Sequence, residues 1–110
     1  MENFNINHLV FNSDGLIPTI AQEKSTNEIL MMAYSNKNSI EMTVKTKKAH
    51  FWSRSKKKLW LKGETSGNKL NITNIYTDCD SDALIYEVEL EGIGDCHTGK
   101  KSCFYKKLEL

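Results

Sequence analysis

The sequence of 110 residues lacks the features that mark exported, membrane-bound or nucleic-acid-binding proteins. Its three cysteines are an odd number, which argues against a disulfide framework and favours reduced thiols in the cytosol. A net charge of +1 provides no basic surface for nucleic acid. No apolar stretch approaches the length of a membrane span, and the N-terminal residues do not resemble a signal peptide. We therefore expect a cytoplasmic protein whose partners include neither nucleic acid nor a membrane.

Internal repeats, low-complexity segments and linkers are also missing, and Pro18 is the only proline. The length then predicts one domain covering residues 1–110. Hydrophobic residues make up 39% of the sequence, a little below the usual share, so a dimer would help to complete the core.

Alternating and β-branched segments predict a mainly β (α+β) fold with one main helix. The predicted strands cover residues 16–21, 28–34, 50–54, 59–62, 69–77 and 83–91, and a short last strand is predicted at 102–106. The helix is predicted at residues 36–47, with Ile40 and Val44 on one face and Ser35 or Asn36 as the N-cap.

An acidic segment follows the strand predicted at residues 69–77. Asp78, Asp80 and Asp82, together with Glu89, nearly match the spacing of an EF-hand calcium loop, but Ala83 stands where the sharp turn needs glycine. In an extended chain the three aspartates would share one side, and a hard cation such as Mg²⁺ would relieve their repulsion. A solvated acidic turn is one alternative, and a non-catalytic metal-binding module that uses the EF-hand-like loop from Asp78 to Glu89 is another.

The three cysteines have polar neighbours, unlike cysteines that merely fill a core. Cys79 stands between aspartates, Cys96 precedes His97, and Cys103 follows Lys101-Ser102. Three thiolate ligands would leave an open position on zinc, which is the catalytic arrangement, with His97 as a nearby base. Three unrelated cysteines with a surface histidine remain an alternative, and so does a structural zinc site with His97 as the fourth ligand.

Polar and aromatic residues in the middle of the chain suggest a substrate cleft. Basic side chains can bind phosphate, glycine-loop N–H groups and hydroxyls can assist, and indole rings can stack on a flat ring or simply pack in the core. The basic candidates are Arg54 and Lys62, the loop runs from Gly63 to Gly67, the hydroxyls are Ser53, Ser55 and Ser66, and the rings are Trp52 and Trp60.

Five motifs occur in series along the chain: Phe51-Trp52-Ser53-Arg54-Ser55, Leu59-Trp60-Leu61-Lys62-Gly63-Glu64-Thr65-Ser66-Gly67-Asn68, Asp78-Cys79-Asp80-Ser81-Asp82-Ala83-Leu84, Cys96-His97-Thr98-Gly99 and Ser102-Cys103-Phe104-Tyr105. Together they closely resemble the phosphoribosyl-AMP cyclohydrolase family of histidine biosynthesis, from about residue 15 to residue 105. The resemblance implies zinc-dependent hydrolysis of the N1–C6 bond of the adenine ring of phosphoribosyl-AMP. It also implies an intertwined homodimer of strongly curved, mixed-sheet subunits that form a pseudobarrel.

The same resemblance assigns roles to individual residues. It implies zinc held by Cys79 of one subunit and by Cys96 and Cys103 of the other, with His97 as the general base. The implied Mg²⁺ ligands are Asp78, Asp80 and Asp82. Glu64 and Thr98 join the substrate-binding candidates because they lie within the motifs. Some family members carry a second, pyrophosphohydrolase domain, and we expect that activity to be absent here.

Overall fold

The computed structural model describes residues 2–91 and 100–110, which contain six strands and one α-helix. A 3₁₀ turn at Ile6–His8 precedes them. The elements are β1 (Ile17–Glu23), β2 (Ile29–Ser35), α1 (Lys37–Thr46), β3 (His50–Ser53), β4 (Lys58–Leu61), β5 (Lys69–Thr77) and β6 (Leu84–Glu91). The mainly β fold with one main helix is confirmed.

All six strands form one mixed sheet in the order β4-β3-β2-β1-β6-β5, in which β1 and β6 are parallel and the other pairs antiparallel. Three strands lie between β3 and β5 in this order. Nevertheless, the residues just before β3 form backbone hydrogen bonds with β5. The N–H of Ala49 donates to the carbonyl of Leu70 at 2.9 Å, and the N–H of Ile72 donates to that of Lys47 at 2.8 Å. The sheet is therefore strongly curled, as predicted for a pseudobarrel.

The inner face of the curled sheet carries the core. Alternate side chains of β1 and β6 are buried, as the period of two predicts, and Phe51 and Leu70 extend the core to the neighbouring strands. A buried polar contact fixes α1 to this core. The Thr43 hydroxyl donates to the carbonyl of Ser39 at 2.7 Å and accepts the N–H of His50 at 2.9 Å.

One detail of the predicted fold is refined and another is wrong. Val44 is 44% exposed, while Ile40 is 2% exposed, because α1 packs through Ser39, Ile40 and Thr43. Residues 102–106 form no strand, although the N–H of Cys103 donates to the carbonyl of Leu30 at 2.7 Å. One such bond anchors the segment without making a ladder. In the residues that the structure describes, no helix is long and apolar enough to cross a membrane.

Candidate functional site

A cleft of about 670 Å³ lies where β2 meets the β3–β4 hairpin. Five of the predicted substrate-binding residues line it: Trp52, Ser53, Arg54, Ser55 and Trp60. The pairing of β3 with β4 places them together, since Trp52 lies opposite Leu59 and Phe51 opposite Trp60. The structure therefore assembles these candidates into one concave, partly aromatic surface.

Arg54 is held at this cleft by an aromatic contact. Its guanidinium lies 4.0 Å from the ring centroid of Tyr34, within the range of a cation–π interaction. Among the ion pairs of the described residues none involves Arg54, so no carboxylate in that part of the chain neutralises its charge. The hydroxyls of Ser53 and Ser55 border the same cleft. This arrangement suits an anionic group of a ligand that also has a flat ring.

The sequence analysis missed the β2 side of the cleft, formed by Met32, Ala33 and Tyr34. Tyr34 lies directly opposite Trp52 in the register of β2 with β3. A signal existed in the sequence, because an aromatic residue ends one predicted strand and Arg54 ends another. The pairing that brings them together is non-local, so the sequence pattern alone did not reveal it.

The two tryptophans differ in how far they join the core, and both line the cleft. Trp60 is partly buried and packs on Phe51, with ring centroids 5.5 Å apart, while it also lines the cleft. Trp52 is half-buried at the rim.

Of the other predicted binding residues, those that the structure describes lie on a separate loop. Lys62, Gly63, Glu64, Ser66 and Gly67 follow β4, at the end of the hairpin where Leu61 pairs with His50. Arg54 and Ser55 follow the other end, about 13 Å away at ~3.3 Å per strand residue. The structure thus divides the predicted binding residues into two groups rather than one.

Gly63 holds this loop in its conformation. Its φ is +82°, and a Cβ added there would lie 2.4 Å from the carbonyl carbon of Asn68. Gly67 has a similar φ of +80°, but a Cβ there would meet nothing within 4 Å. The two glycines therefore separate the cost of a left-handed backbone from the cost of a steric clash.

We expect Gly63→Ala to destabilise the protein by more than about 2 kcal/mol, because left-handed strain and a backbone clash add. Gly67→Ala, the matched control, should cost only about 1 kcal/mol because strain acts alone. Urea unfolding monitored by tryptophan fluorescence measures both values. Equal destabilisation by the two substitutions would contradict the predicted clash.

The aspartates and Cys79 lie on the turn that joins β5 to β6. The N–H of Ser81 donates to the carbonyl of Asp78 at 3.1 Å, and Ser81 has a φ of +59°. The Asp78 carboxylate accepts the N–H of Asp82 at 3.1 Å. The extended geometry considered for Asp78, Asp80 and Asp82 is therefore wrong, and all three carboxylates are exposed on a tight turn.

The EF-hand alternative is also wrong. Leu84 to Glu91 form β6, in which Glu89 lies opposite Asn71. Glu89 is five residues along the strand from Leu84, about 17 Å at ~3.3 Å per residue. It is therefore too far from Asp78 to close a calcium loop.

Negative charge accumulates on this turn. The pKa of the Cys79 thiol is raised, first by the charge of Asp80 and then by a hydrogen bond to its carboxylate, with Sγ and Oδ1 3.6 Å apart. The pKa of Asp82 is raised by partial desolvation and by the charge of Asp78. A cation at this turn would favour the ionised forms of all these groups, and carboxylates and a thiolate are suitable metal donors. In the conformation that the structure describes, these side chains do not converge on one metal position.

Cys79 and Cys103 are both exposed thiols, but they are attached to opposite ends of the sheet. The Cys79 turn leads into Leu84, whereas Cys103 bonds to Leu30. Leu84 lies opposite Thr19 of β1, which lies opposite Ala33 of β2, and Leu30 is three residues along β2 from Ala33. Leu84 and Leu30 are therefore about 14 Å apart, at ~4.8 Å per strand spacing and ~3.3 Å per residue. Two sulfurs on one zinc ion lie only about 4 Å apart.

Within residues 2–91 and 100–110 no three His, Cys, Asp or Glu side chains converge on a metal position. Cys96, His97 and Thr98 lie outside the described residues, so the structure does not place them.

A second groove, of about 1270 Å³, borders the Cys79 turn. Its lining includes N-terminal residues to which the sequence analysis assigned no role, namely Glu2, Asn3, Phe4 and His8. The N–H of Val10 also donates to the carbonyl of Ser81 at 2.7 Å. The N-terminal segment therefore packs beside the turn and supports it.

Comparison with known proteins relates this geometry to a family. The family model described as phosphoribosyl-AMP cyclohydrolase matches residues 31–105. The chain is 56% identical over 101 residues to a phosphoribosyl-AMP cyclohydrolase of Archaeoglobus fulgidus, covering 92% of this chain and 93% of the relative. It is 53% identical over 97 residues to one of Prosthecochloris aestuarii, covering 88% and 70%.

A histidine biosynthesis bifunctional protein of Aquifex aeolicus is 50% identical over 101 residues, covering 92% of this chain and 49% of the relative. The chain thus spans about half the length of that bifunctional protein. The range matched by the family model includes the cleft, the glycine loop, the aspartate turn and Cys103. The resemblance found in the sequence is confirmed, and so is the prediction of an enzyme: the chain belongs to the phosphoribosyl-AMP cyclohydrolase family.

Proposed function

We propose that this protein hydrolyses the N1–C6 bond of the adenine ring of 1-(5-phosphoribosyl)-AMP in histidine biosynthesis. The cleft between β2 and the β3–β4 hairpin is the observation that supports this function. It combines two indole rings with an arginine whose charge no described carboxylate neutralises. A purine nucleotide offers the complementary chemistry, a flat ring and a phosphate.

The two groups of binding residues suit a substrate with two phosphates. Arg54 receives one 5′-phosphate, and Lys62 receives the other together with N–H groups of the glycine loop. The N–H groups of Glu64 and Gly67 are not among these, because they donate to the carbonyls of Leu61 and Gly63. The separation of about 13 Å between the two ends of the hairpin supports two anion sites on one elongated ligand. Trp52 and Trp60 provide stacking surfaces between them.

The substrate itself favours attack at C6. Its N1 carries a ribosyl group, so the ring is a cationic, amidinium-like electrophile. Water adds to C6, and the C6–N1 bond then breaks. The water oxygen becomes the carboxamide oxygen, while N1 remains on the formimino carbon and gains a proton. His97 is the proposed general base that takes the proton from the attacking water.

Zinc, held by Cys79, Cys96 and Cys103, supplies Lewis-acid activation of water when it is bound. The separation of Cys79 from Cys103 within one chain supports a homodimer in which each zinc site takes ligands from both subunits. A symmetric dimer would contain two such sites. Such thiol ligands need the reducing conditions of the cytoplasm, where we place the protein.

Mg²⁺ is proposed at Asp78, Asp80 and Asp82. Three exposed carboxylates on one tight turn, with the pKa of Asp82 raised, support a hard cation there. Its proposed role is to help seat the phosphates of the substrate.

The direct test is turnover of phosphoribosyl-AMP by the purified protein, followed by the absorbance change as the purine ring opens. Removing both metals with a chelator should abolish turnover, and adding Zn²⁺ and Mg²⁺ should restore it. Absence of turnover under every metal condition would refute the proposed function.

Arg54→Ala tests the cleft. Losing a charge-assisted contact of about 1.5–3 kcal/mol should raise KM by about 10- to 100-fold. Lys56→Ala is the matched control, since Lys56 lies in the same turn but outside the cleft lining. Steady-state kinetics of both variants measures the difference. If KM were the same in the two variants, this cleft would not be the phosphate site.

A further inference from the structure

The segment that carries Cys103 is attached to the start of β2 by two hydrogen bonds. The Ser102 hydroxyl donates to the carbonyl of Ile29 at 2.7 Å, and the N–H of Cys103 donates to that of Leu30 at 2.7 Å. The Ser102 oxygen also accepts the N–H of Phe104 at 2.9 Å. These contacts set the position of the Cys103 backbone on the sheet.

An ion-pair cluster lies immediately before this segment. Lys101 Nζ is 2.6 Å from Glu23 Oε1 and 3.2 Å from Glu28 Oε1, so one ammonium joins both ends of the β1–β2 turn. Glu23 is only 7% exposed and also accepts the hydroxyl of Thr26 at 2.6 Å. Neither Lys101 nor Glu23 has a role in the proposed function.

The burial of Glu23 distinguishes this cluster from an ordinary surface ion pair. Exposed pairs contribute little because water and salt screen them. A carboxylate removed from water needs its charged partner, and losing that partner is costly. Lys101 provides that charged partner for Glu23 and is two residues from Cys103 in the chain. Because the ion pair fixes the position of Lys101, it also restricts where Cys103 can lie.

We infer that the Lys101–Glu23–Glu28 cluster positions Cys103 for metal binding. This inference rests on the proposed function, in which Cys103 is a zinc ligand. Lys101 is a positioning residue that contacts neither substrate nor metal. A thiol already held in place loses less conformational freedom when it binds a metal, so removing its anchor weakens the site.

The test compares Lys101→Ala with Lys101→Arg and with Lys107→Ala, a substitution at an exposed lysine near the end of the same segment. Zinc affinity is measured by competition with a chromophoric chelator, and the thiolate-to-metal charge-transfer band is recorded with Co²⁺. Lys101→Ala should bind zinc about 10- to 100-fold more weakly, as expected when a supporting partner of a ligand is lost. Lys101→Arg should restore most of the affinity, and Lys107→Ala should match the wild type.

Amide hydrogen exchange in the metal-free protein gives a second readout. Lys101→Ala should speed exchange at the Cys103 N–H, while exchange in β5 and β6 stays unchanged. Zinc affinity within about twofold of the wild type, measured in protein that turns over substrate, would overturn this inference alone. A wild-type protein that neither binds zinc nor turns over substrate would overturn the proposed function together with it.

Discussion

A heterodimer of one Cys79→Ala subunit and one Cys103→Ala subunit is expected to have about half of the wild-type activity, one intact site of two. The Cys79→Ala homodimer and the Cys103→Ala homodimer should each have more than about 100-fold lower activity than the wild type. Replacing a metal ligand lowers activity more than replacing a residue that supports a ligand. We expect one intact site in the heterodimer because Cys79 and Cys103 of one chain are held at strand positions about 14 Å apart, so that each zinc site must combine them from different subunits. Coexpression with two affinity tags isolates the heterodimer, and turnover and bound zinc are measured per dimer.

The reciprocal heterodimer is the control. It pairs a wild-type subunit with a Cys79→Ala/Cys103→Ala subunit, and a site shared between subunits would then be broken on both sides. This heterodimer should be inactive, although one of its chains is entirely wild type. If the sites were instead contained within single chains, the reciprocal heterodimer would keep half of the activity and the first heterodimer would have none.

Phe51→Ala is expected to reduce the free energy of unfolding by about 3–5 kcal/mol. Phe51 is fully buried, and its ring centroid lies 5.5 Å from those of both Trp60 and Tyr86. Truncation would leave a cavity among these rings and remove support from Trp60, which lines the cleft. Since domains of this size are stable by about 5–15 kcal/mol, the loss would be a large fraction of the total.

Urea unfolding of the metal-free protein measures this effect, with Phe51→Leu and Leu108→Ala for comparison. Phe51→Leu keeps most of the buried volume and should cost clearly less than Phe51→Ala. Leu108 is 80% exposed, so Leu108→Ala should change stability by less than about 0.5 kcal/mol. A Phe51→Ala protein as stable as the Leu108→Ala protein would show that the aromatic cluster does not support the fold.

Local structure in this protein follows closely from local sequence. The predicted strand at residues 69–77 agrees with β5, and the alternation of Leu84, Tyr86 and Val88 predicts the buried face of β6. Asn36 caps α1, as its side chain allows. The conformation of the acidic segment could not be predicted from its sequence, because alternating aspartates fit both an extended strand and a β-turn. In the structure Ser81 has a left-handed backbone conformation, which makes the segment a turn.

The amino-acid sequence was enough to identify the family, since five motifs of definite chemistry occur in a fixed order along the chain. It also determined which side chains are candidates for zinc, magnesium and phosphate, because their donor atoms suit those ligands. Which of these candidates lie together depends on how the chain folds. Strand pairing is non-local, and it brings Tyr34 to Arg54 and separates the strand positions that hold Cys79 and Cys103. The attachment of a segment outside the sheet to the start of β2 places Lys101 on Glu23.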